Sequence, residues 1–200
     1  MRNLPPPHRF QAFSLVELLV VIALIAILSA LAVPAFSSIA QSGRVSQALA
    51  AALSTFSLAA QRASSEDRPV TVRLLKGVDG NYAALQLVEI MPDGTARALD
   101  RVVKLPEGVA FASSTNLSSF FSLPERAAGA GDPPVSGLPA GYSYRQFQFR
   151  PDGRLGLSVT NAWFLTVLLS RSGSDSSTPP ANFATVQVDP VNGRLSVYRP

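Results

Sequence analysis

The 200-residue sequence contains no cysteine and a single histidine, His8. The missing cysteines exclude disulfides, cysteine nucleophiles and thiolate metal sites, so the folded part must rely on its apolar core. A lone histidine leaves no histidine pair to bind a metal, and no glycine-rich phosphate loop follows a candidate strand. We therefore expect no catalytic residue, no cofactor and no metal site.

Charge is also scarce, and it is absent from one long stretch. Charged residues make up 15% of the chain, and none lies between Leu18 and Gly43. About 20 apolar residues suffice for a helix that crosses a bilayer. Arg2 and Arg9 precede the run, so the positive-inside rule places that end in the cytoplasm. The sequence predicts a membrane-spanning segment over residues 13–35, with the remainder of the chain across the membrane.

One carboxylate, Glu17, stands at the entrance of the apolar run, within the letters FSLVEL of residues 13–18. A short basic leader, residues 1–12, ends at Ala12 just before it. This arrangement resembles the N-terminus of type IV prepilins and type II secretion pseudopilins, although the family usually has glycine where Ala12 stands. The resemblance implies that a prepilin peptidase cuts between Ala12 and Phe13 and that the new amine of Phe13 is methylated. It also implies that Glu17 pairs with the N-terminal amine of a neighbouring subunit during assembly.

Two other interpretations of this segment stay open. Residues 18–28 also suit the apolar part of a secretory signal peptide, with Ala30-Leu31-Ala32 as the cut site, which would release a secreted β-domain protein. The other is an ordinary single-pass anchor with Glu17 at the membrane surface. Glu17 serves no purpose in a signal peptide, and the helical pattern continues past Ala32, so we favour the prepilin interpretation.

The helical pattern becomes one-sided beyond Pro34. Apolar residues recur at helical spacing, with polar residues between them, which predicts one helix over residues 13–63 whose second half packs on a globular domain. Because proline lacks a backbone donor, we expect a kink at Pro34. The residues of the apolar stripe are Val45, Leu49, Ala52, Leu53, Phe56, Ala59 and Ala60.

Residues 66–200 have a different pattern, in which short apolar or alternating runs are separated by turn signals. The turns are DG at 79–80, PDG at 92–94 and 151–153, and NG at 192–193, all typical of antiparallel hairpins. Their acids are expected to cap the turns, with calcium binding as the alternative. Residues 123–141 and 171–181 are predicted loops. The predicted strands are Val70–Leu75, Tyr82–Ile90, Ala98–Leu105, Tyr142–Phe149, Leu155–Val159, Trp163–Ser170, Phe183–Val188 and Leu195–Tyr198.

The predicted fold class is therefore α+β, with a long N-terminal helix packed on an antiparallel sheet. This order of elements resembles the minor pseudopilin H type, and FRPDG at 149–153 with DPVNGR at 189–194 is similar to the Verru_Chthon cassette protein D family. The resemblance implies a non-enzymatic subunit of a type IV pilus-like or type II secretion-like fibre. Its partners would be a prepilin peptidase, other pilin-like subunits, inner-membrane lipid and secreted cargo.

A DNA-uptake pilin is the alternative from a different functional class. Arginines in the C-terminal third would grip phosphates in that case. There is no run of adjacent basic residues and no interleaving of aromatic residues, so we expect no nucleic acid partner. The arginines concerned are Arg145, Arg150, Arg154, Arg194 and Arg199.

Overall fold

The computed structural model describes residues 14–170 and 178–200, and for residues 30–39 it describes the backbone alone. The chain divides into two compact units, Met1–Ala40 and Gln41–Pro200. A single helix, α1, runs from Leu15 to Glu66, and a short 3-10 helix covers Ser119–Ser122. The strands are β1 (Val70–Lys76), β2 (Tyr82–Ile90), β3 (Ala96–Ala98), β4 (Val103–Lys104), β5 (Val109–Phe111), β6 (Arg126–Ala127), β7 (Ser143–Phe149), β8 (Trp163–Leu169), β9 (Phe183–Val188) and β10 (Leu195–Tyr198).

The ten strands found in the described residues belong to one antiparallel sheet, which confirms the predicted α+β class. The order across the sheet is β10-β9-β8-β5-β2-β1-β7-β6, and β3 and β4 also pair with β2. The hairpin turns are where the sequence predicts them. Gly80, Gly94, Gly153 and Gly193 have φ values between 68° and 84°, a region that side chains with a Cβ atom rarely adopt.

The second half of α1 packs against one face of this sheet. Of its predicted apolar stripe, Val45, Leu49, Ala52, Phe56 and Ala59 are buried, whereas Leu53 and Ala60 are half-buried. Phe56 lies at the centre with no exposed surface. The ring of Phe56 is 5.4 Å from that of Phe147 in an edge-to-face contact, and 6.5 and 6.4 Å from those of Phe120 and Phe149. Such aromatic pairs add stability beyond the area that they bury. The core of the larger unit is therefore built around one helical side chain and three aromatic residues of the sheet side.

The opposite face of the sheet is covered by residues 128–141, which we call the strap. Arg73 on β1 is 2% exposed, and its Nη2 lies 2.6 Å from Oδ1 of Asp132 in the strap. The Arg73 guanidinium also lies 4.1 Å from the ring centre of Tyr144 and donates to Gln146 through Nε at 3.2 Å. Val135 of the strap is buried in a small apolar cluster beside these groups. A buried ion pair thus fixes the strap on the sheet.

Two of the predicted strands are wrong. The stretch Leu155–Val159 forms a single bridge, from Leu155 to Phe149, because the chain then turns and Trp163 Nε1 donates to the carbonyl of Ser158 at 2.8 Å. The predicted strand Ala98–Leu105 is divided into the end of β3 and β4. The N–H of Leu99 still donates to Leu87 of β2 at 2.9 Å, but its carbonyl accepts a hydrogen bond from Arg62 of α1 at 2.8 Å instead of extending the ladder.

Three short elements have no counterpart in the sequence predictions. These are β5, β6 and the 3-10 helix at Ser119–Ser122. The strand β6 lies inside the predicted loop 123–141, and part of the predicted loop 171–181 lies outside the described residues. Runs of two to four residues are too short to show a periodic pattern, so their pairing depends on the rest of the fold.

We expect Phe56→Ala to lower the free energy of unfolding by about 3–5 kcal/mol, since it leaves a cavity among three aromatic rings. Thermal unfolding of the full chain in detergent, followed by circular dichroism, measures this. The control is Ser57→Ala at an exposed position of the same helix, which should change the stability by less than about 0.5 kcal/mol. Equal losses in the two variants would contradict the role of Phe56.

We expect Asp132→Asn to cost about 3–5 kcal/mol, because it leaves the Arg73 guanidinium buried without a counter-charge. The double variant Arg73→Leu/Asp132→Leu should recover most of that loss, since apolar residues can replace a buried pair. Hydrogen exchange of residues 128–141 should accelerate in the single variant. Asp152→Asn, at an exposed turn, is the control, and strap exchange unchanged in Asp132→Asn would refute this account.

Candidate assembly site

The first described residues form a capped helix start around Glu17. The hydroxyl of Ser14 accepts a hydrogen bond from the backbone N–H of Glu17 at 3.1 Å, and the Ser14 carbonyl accepts one from the N–H of Leu18 at 3.2 Å. Ser14 therefore occupies the N-cap position, where a side-chain oxygen satisfies a backbone donor that the helix itself leaves unpaired. Glu17 is the third residue of the helix.

This cap is absent from the sequence predictions, although its signal is present in residues 14–17. Serine followed three residues later by glutamate, just before an apolar run, is the pattern of a capping box. The structure places the Glu17 carboxylate in the exposed first turn of α1, where the helix dipole favours negative charge.

Apart from Glu17, the helix surface after this cap is apolar and exposed over residues 15–28, which we call the exposed apolar segment. Leu15 is 80% exposed, and Val21, the least exposed of its large apolar side chains, is still 41% exposed. Continuous apolar surface of this extent is typical of a segment that another protein or a membrane covers. The helix thus presents an acid at its start and apolar side chains along the following turns.

Several predicted site residues fall where the structure gives no direct test. Ala12 and Phe13, the predicted cleavage and methylation positions, lie outside the described residues. The backbone of Pro34 lies within α1, and the predicted kink there stays a prediction. Within residues 14–170 and 178–200, no helix combines the length and the apolarity that crossing a membrane requires. The membrane segment predicted over residues 13–35 also stays a prediction.

The acids of the four turns cap those turns, as the sequence predicts. In each turn a carboxylate oxygen accepts the backbone N–H of the residue two positions further on, at distances from 2.9 to 3.2 Å. Among the described residues, no group of three or more histidine, cysteine, aspartate or glutamate side chains is placed to hold a metal ion. The four acids are Asp79, Asp93, Asp152 and Asp189.

Glu89 on β2 joins two arginines at the end of the sheet near the C-terminus of α1. Its carboxylate lies 2.9 Å from Nη1 of Arg68 and 2.5 Å from Nη2 of Arg97. Hydrogen bonds from Arg68 and Arg97 lower the pKa of Glu89, so this buried acid stays ionised at neutral pH. The cluster therefore fixes the chain that leaves α1 to the sheet and offers no proton for chemistry.

Arg145, one of the arginines considered for DNA binding, is used inside the fold. It donates to the carbonyl of Leu123, and its Nη2 lies 3.5 Å from Glu125 Oε2. Its guanidinium also lies 5.5 Å from the ring centre of Phe121. The adjacent Tyr82 is buried, and this burial raises its pKa to about 12. This cluster stabilises the chain after the 3-10 helix and leaves Arg145 little freedom to bind phosphate.

The comparison with protein families gives one match. Residues 7–33 match the family model described as the prokaryotic N-terminal methylation motif. This range contains Ala12, Phe13, Ser14 and Glu17. No curated protein sequence matches the chain significantly.

Two kinds of solved structure are similar to the chain. The minor pseudopilin EpsH of the type 2 secretion system of Vibrio cholerae is 14% identical, with a TM-score of 0.43 over 76% of this chain and 96% of its own. The type IV minor pilin FimU of Pseudomonas aeruginosa is 12% identical, with a TM-score of 0.45 over 77% of this chain and 90% of its own.

We expect Ser14→Ala to accelerate amide exchange at Glu17 about fivefold, because loss of an N-cap costs about 1 kcal/mol. Hydrogen exchange followed by NMR on the full chain in detergent micelles measures this. Ser14→Thr keeps a hydroxyl and should exchange nearly as the parent does. Identical exchange in the alanine and parent proteins would show that the cap contributes nothing.

Proposed function

We propose that this protein is a non-enzymatic, pilin-like structural subunit of a pilus-like or secretion-like fibre. The observation that carries the proposal is the match of residues 7–33 to the N-terminal methylation motif, together with Glu17 in the capped, exposed first turn of α1. In this proposal a prepilin peptidase cuts between Ala12 and Phe13, and the new amine is methylated. The single cut creates the cation with which Glu17 pairs in a neighbouring subunit.

In this proposal the exposed apolar segment occupies two environments in succession. Before assembly it lies in the inner membrane, with the cytoplasm on its N-terminal side and the β domain outside. After assembly the equivalent segments of neighbouring subunits cover it. Because both environments are apolar, the exposed side chains of residues 15–28 suit each of them. The carboxylate of Glu17 is the group that distinguishes them, since pairing lowers the cost of burying it.

Within this class we propose the minor pseudopilin H type, because a single long helix precedes a domain whose other regular elements are strands and one 3-10 helix. The narrower likeness to the Verru_Chthon cassette protein D family rests on residues 149–153 and 189–194. Each of the two stretches contains a turn glycine with positive φ, Gly153 in the first and Gly193 in the second. Gly80 and Gly94 have the same role in the earlier hairpins, which supports a hairpin-built domain. Other pilin-like subunits and a secreted cargo are the expected partners.

The alternatives receive less support. Arg145 is engaged within the fold, and Arg154 lies 3.9 Å from Asp152, so the five arginines do not form one free basic surface. For a secreted protein with an ordinary signal peptide, the cut would follow Ala32. The backbone there belongs to α1, which continues to Glu66.

The test of processing is the mature N-terminus of protein purified from native membranes, read by mass spectrometry. A chain that begins at Phe13 and carries one additional methyl group is the expected result. A chain that begins at Val33 would establish signal-peptide cleavage, and an uncut chain would establish a simple anchor. Either of these two results would overturn the proposal.

We expect Glu17→Ala to insert into the membrane normally but to enter fibres at least about tenfold less often, since the neighbouring amine then lacks its counter-charge. Membrane fractionation and quantification of sheared fibres measure the two steps separately. Glu66→Ala, which removes an exposed acid at the other end of α1, is the matched control. Normal incorporation of Glu17→Ala would remove the assigned role.

A further inference from the structure

We infer that the free edge of β10 is a docking site for an extended, acidic segment of a partner protein. This surface goes beyond the fibre role, because it lies in the β domain and does not depend on the processing of the helix. The two edges of the sheet differ in length. At one edge β6 has two residues, Arg126–Ala127, whereas at the other β10 has four, Leu195–Tyr198.

The backbone of β10 offers hydrogen bonds on its outer side. Asp189 donates its N–H to the carbonyl of Arg194 at 2.9 Å, and the register pairs Leu195 with Val188 and continues to Tyr198. Hydrogen-bonded pairs alternate along an antiparallel ladder, so the N–H and C=O groups of Leu195 and Val197 point away from β9. Within the described part of the chain, no strand pairs with that side.

The side chains of the edge are suited to a docked strand. Val197 is 43% exposed and Tyr198 is 55% exposed, so both faces of the strand present apolar or aromatic surface to a neighbour. An open cavity of about 310 Å³ lies over the sheet face next to this edge, lined by Gln187 of β9, by Asn161 and Ala162 before β8, and by Arg194, Ser196 and Tyr198. In strand addition, backbone bonds provide affinity and adjacent pockets provide selectivity for alternate side chains.

Charge identifies the kind of partner. Arg194 and Arg199 flank β10, and neither has an ion-pair partner among the residues that the structure describes. Antiparallel pairing with a second copy of this edge would offer the two arginines no acid, because residues 194–199 read RLSVYR. An extended segment with acids near both of its ends has the complementary charge. The geometry therefore favours a different, acidic chain over self-association.

Two labelled eight-residue peptides test this inference. Each alternates threonine and valine, and carries either two glutamates or two lysines five positions apart. Fluorescence anisotropy with the full chain in detergent should show binding of the glutamate peptide and none of the lysine peptide. Binding should weaken as salt rises from about 50 to about 300 mM, because the charges are exposed. Absence of binding, or equal binding of both peptides, would overturn the inference.

The variant Val197→Pro removes one outward N–H while leaving the bonds to β9, and proline is tolerated at such an edge. It should weaken binding of the glutamate peptide about fivefold or more, as loss of one hydrogen bond and strand contact predicts. Val197→Thr keeps the N–H and should bind as the parent protein does. Unchanged binding by a folded Val197→Pro protein would refute docking at the edge.

A second variant keeps the test decisive if the proline prevents folding. The double variant Arg194→Ser/Arg199→Ser alters only exposed side chains and should abolish the preference for glutamate over lysine. A retained preference would refute the role of the arginines. Sedimentation of the parent protein without peptide tests whether a second copy of the chain occupies this edge. Dimers that dissociate in Val197→Pro would assign the edge to a second copy and overturn the inference.

Discussion

The packing of residues 45–63 of α1 against the sheet is the interaction on which the rest of the domain depends. Without disulfides, the larger unit must be held together by apolar contact, and the helix supplies the second layer that an antiparallel sheet needs. Phe56 concentrates that contact, because three aromatic rings surround it and none of its surface is exposed. The central strands β1, β2 and β7 therefore owe their burial on this face to the amphipathic half of one helix.

On the other face of the sheet, the strap is held by an ion pair as well as by apolar contact. The strap is rich in glycine and proline and carries few apolar side chains, so it cannot be held by hydrophobic contact alone. The ion pair of Arg73 and Asp132 determines where it lies, and Val135 and Tyr142 fill the space beside that pair. A buried ion pair contributes little net stability compared with apolar residues of similar volume, but it defines one position for the strap. The helix face of the sheet is stabilised by buried apolar area, whereas on the opposite face the ion pair of Arg73 and Asp132 defines the position of the strap.

Repeating patterns account for what the sequence could predict. The stripe of α1 extends over residues 45–60, about four turns, and the long strands over six to nine residues, so their periodicity is visible. The four turn glycines have the positive φ that their dipeptides predict. The missed elements are too short to show a period, and the two wrongly predicted strands contain carbonyls that bond to side chains instead of to a neighbouring strand. Arg62 bonds the Leu99 carbonyl, and Trp163 bonds that of Ser158. From the sequence, Arg73 is indistinguishable from a solvent-facing strand residue. Its burial depends on the counter-charge of Asp132, which is distant in the sequence. For Ala12 and Phe13, the motif alone carries the prediction.

The start of α1 combines a helix cap with the acid to which we assign the assembly role. The cap uses the hydroxyl of Ser14 and the backbone N–H of Glu17, and it leaves the Glu17 carboxylate in the exposed first turn. In the proposed function, two different groups of Glu17 therefore act in the two roles, the backbone N–H in the cap and the carboxylate in assembly. The cap determines at which residue the helix begins, and it thereby places Glu17 on the first turn. The proposed cut after Ala12 would create an amine four positions before this acid in the sequence. Under the proposal the serine and the acid are thus coupled through the helix start, and the acid alone carries the charge that pairing with an amine requires.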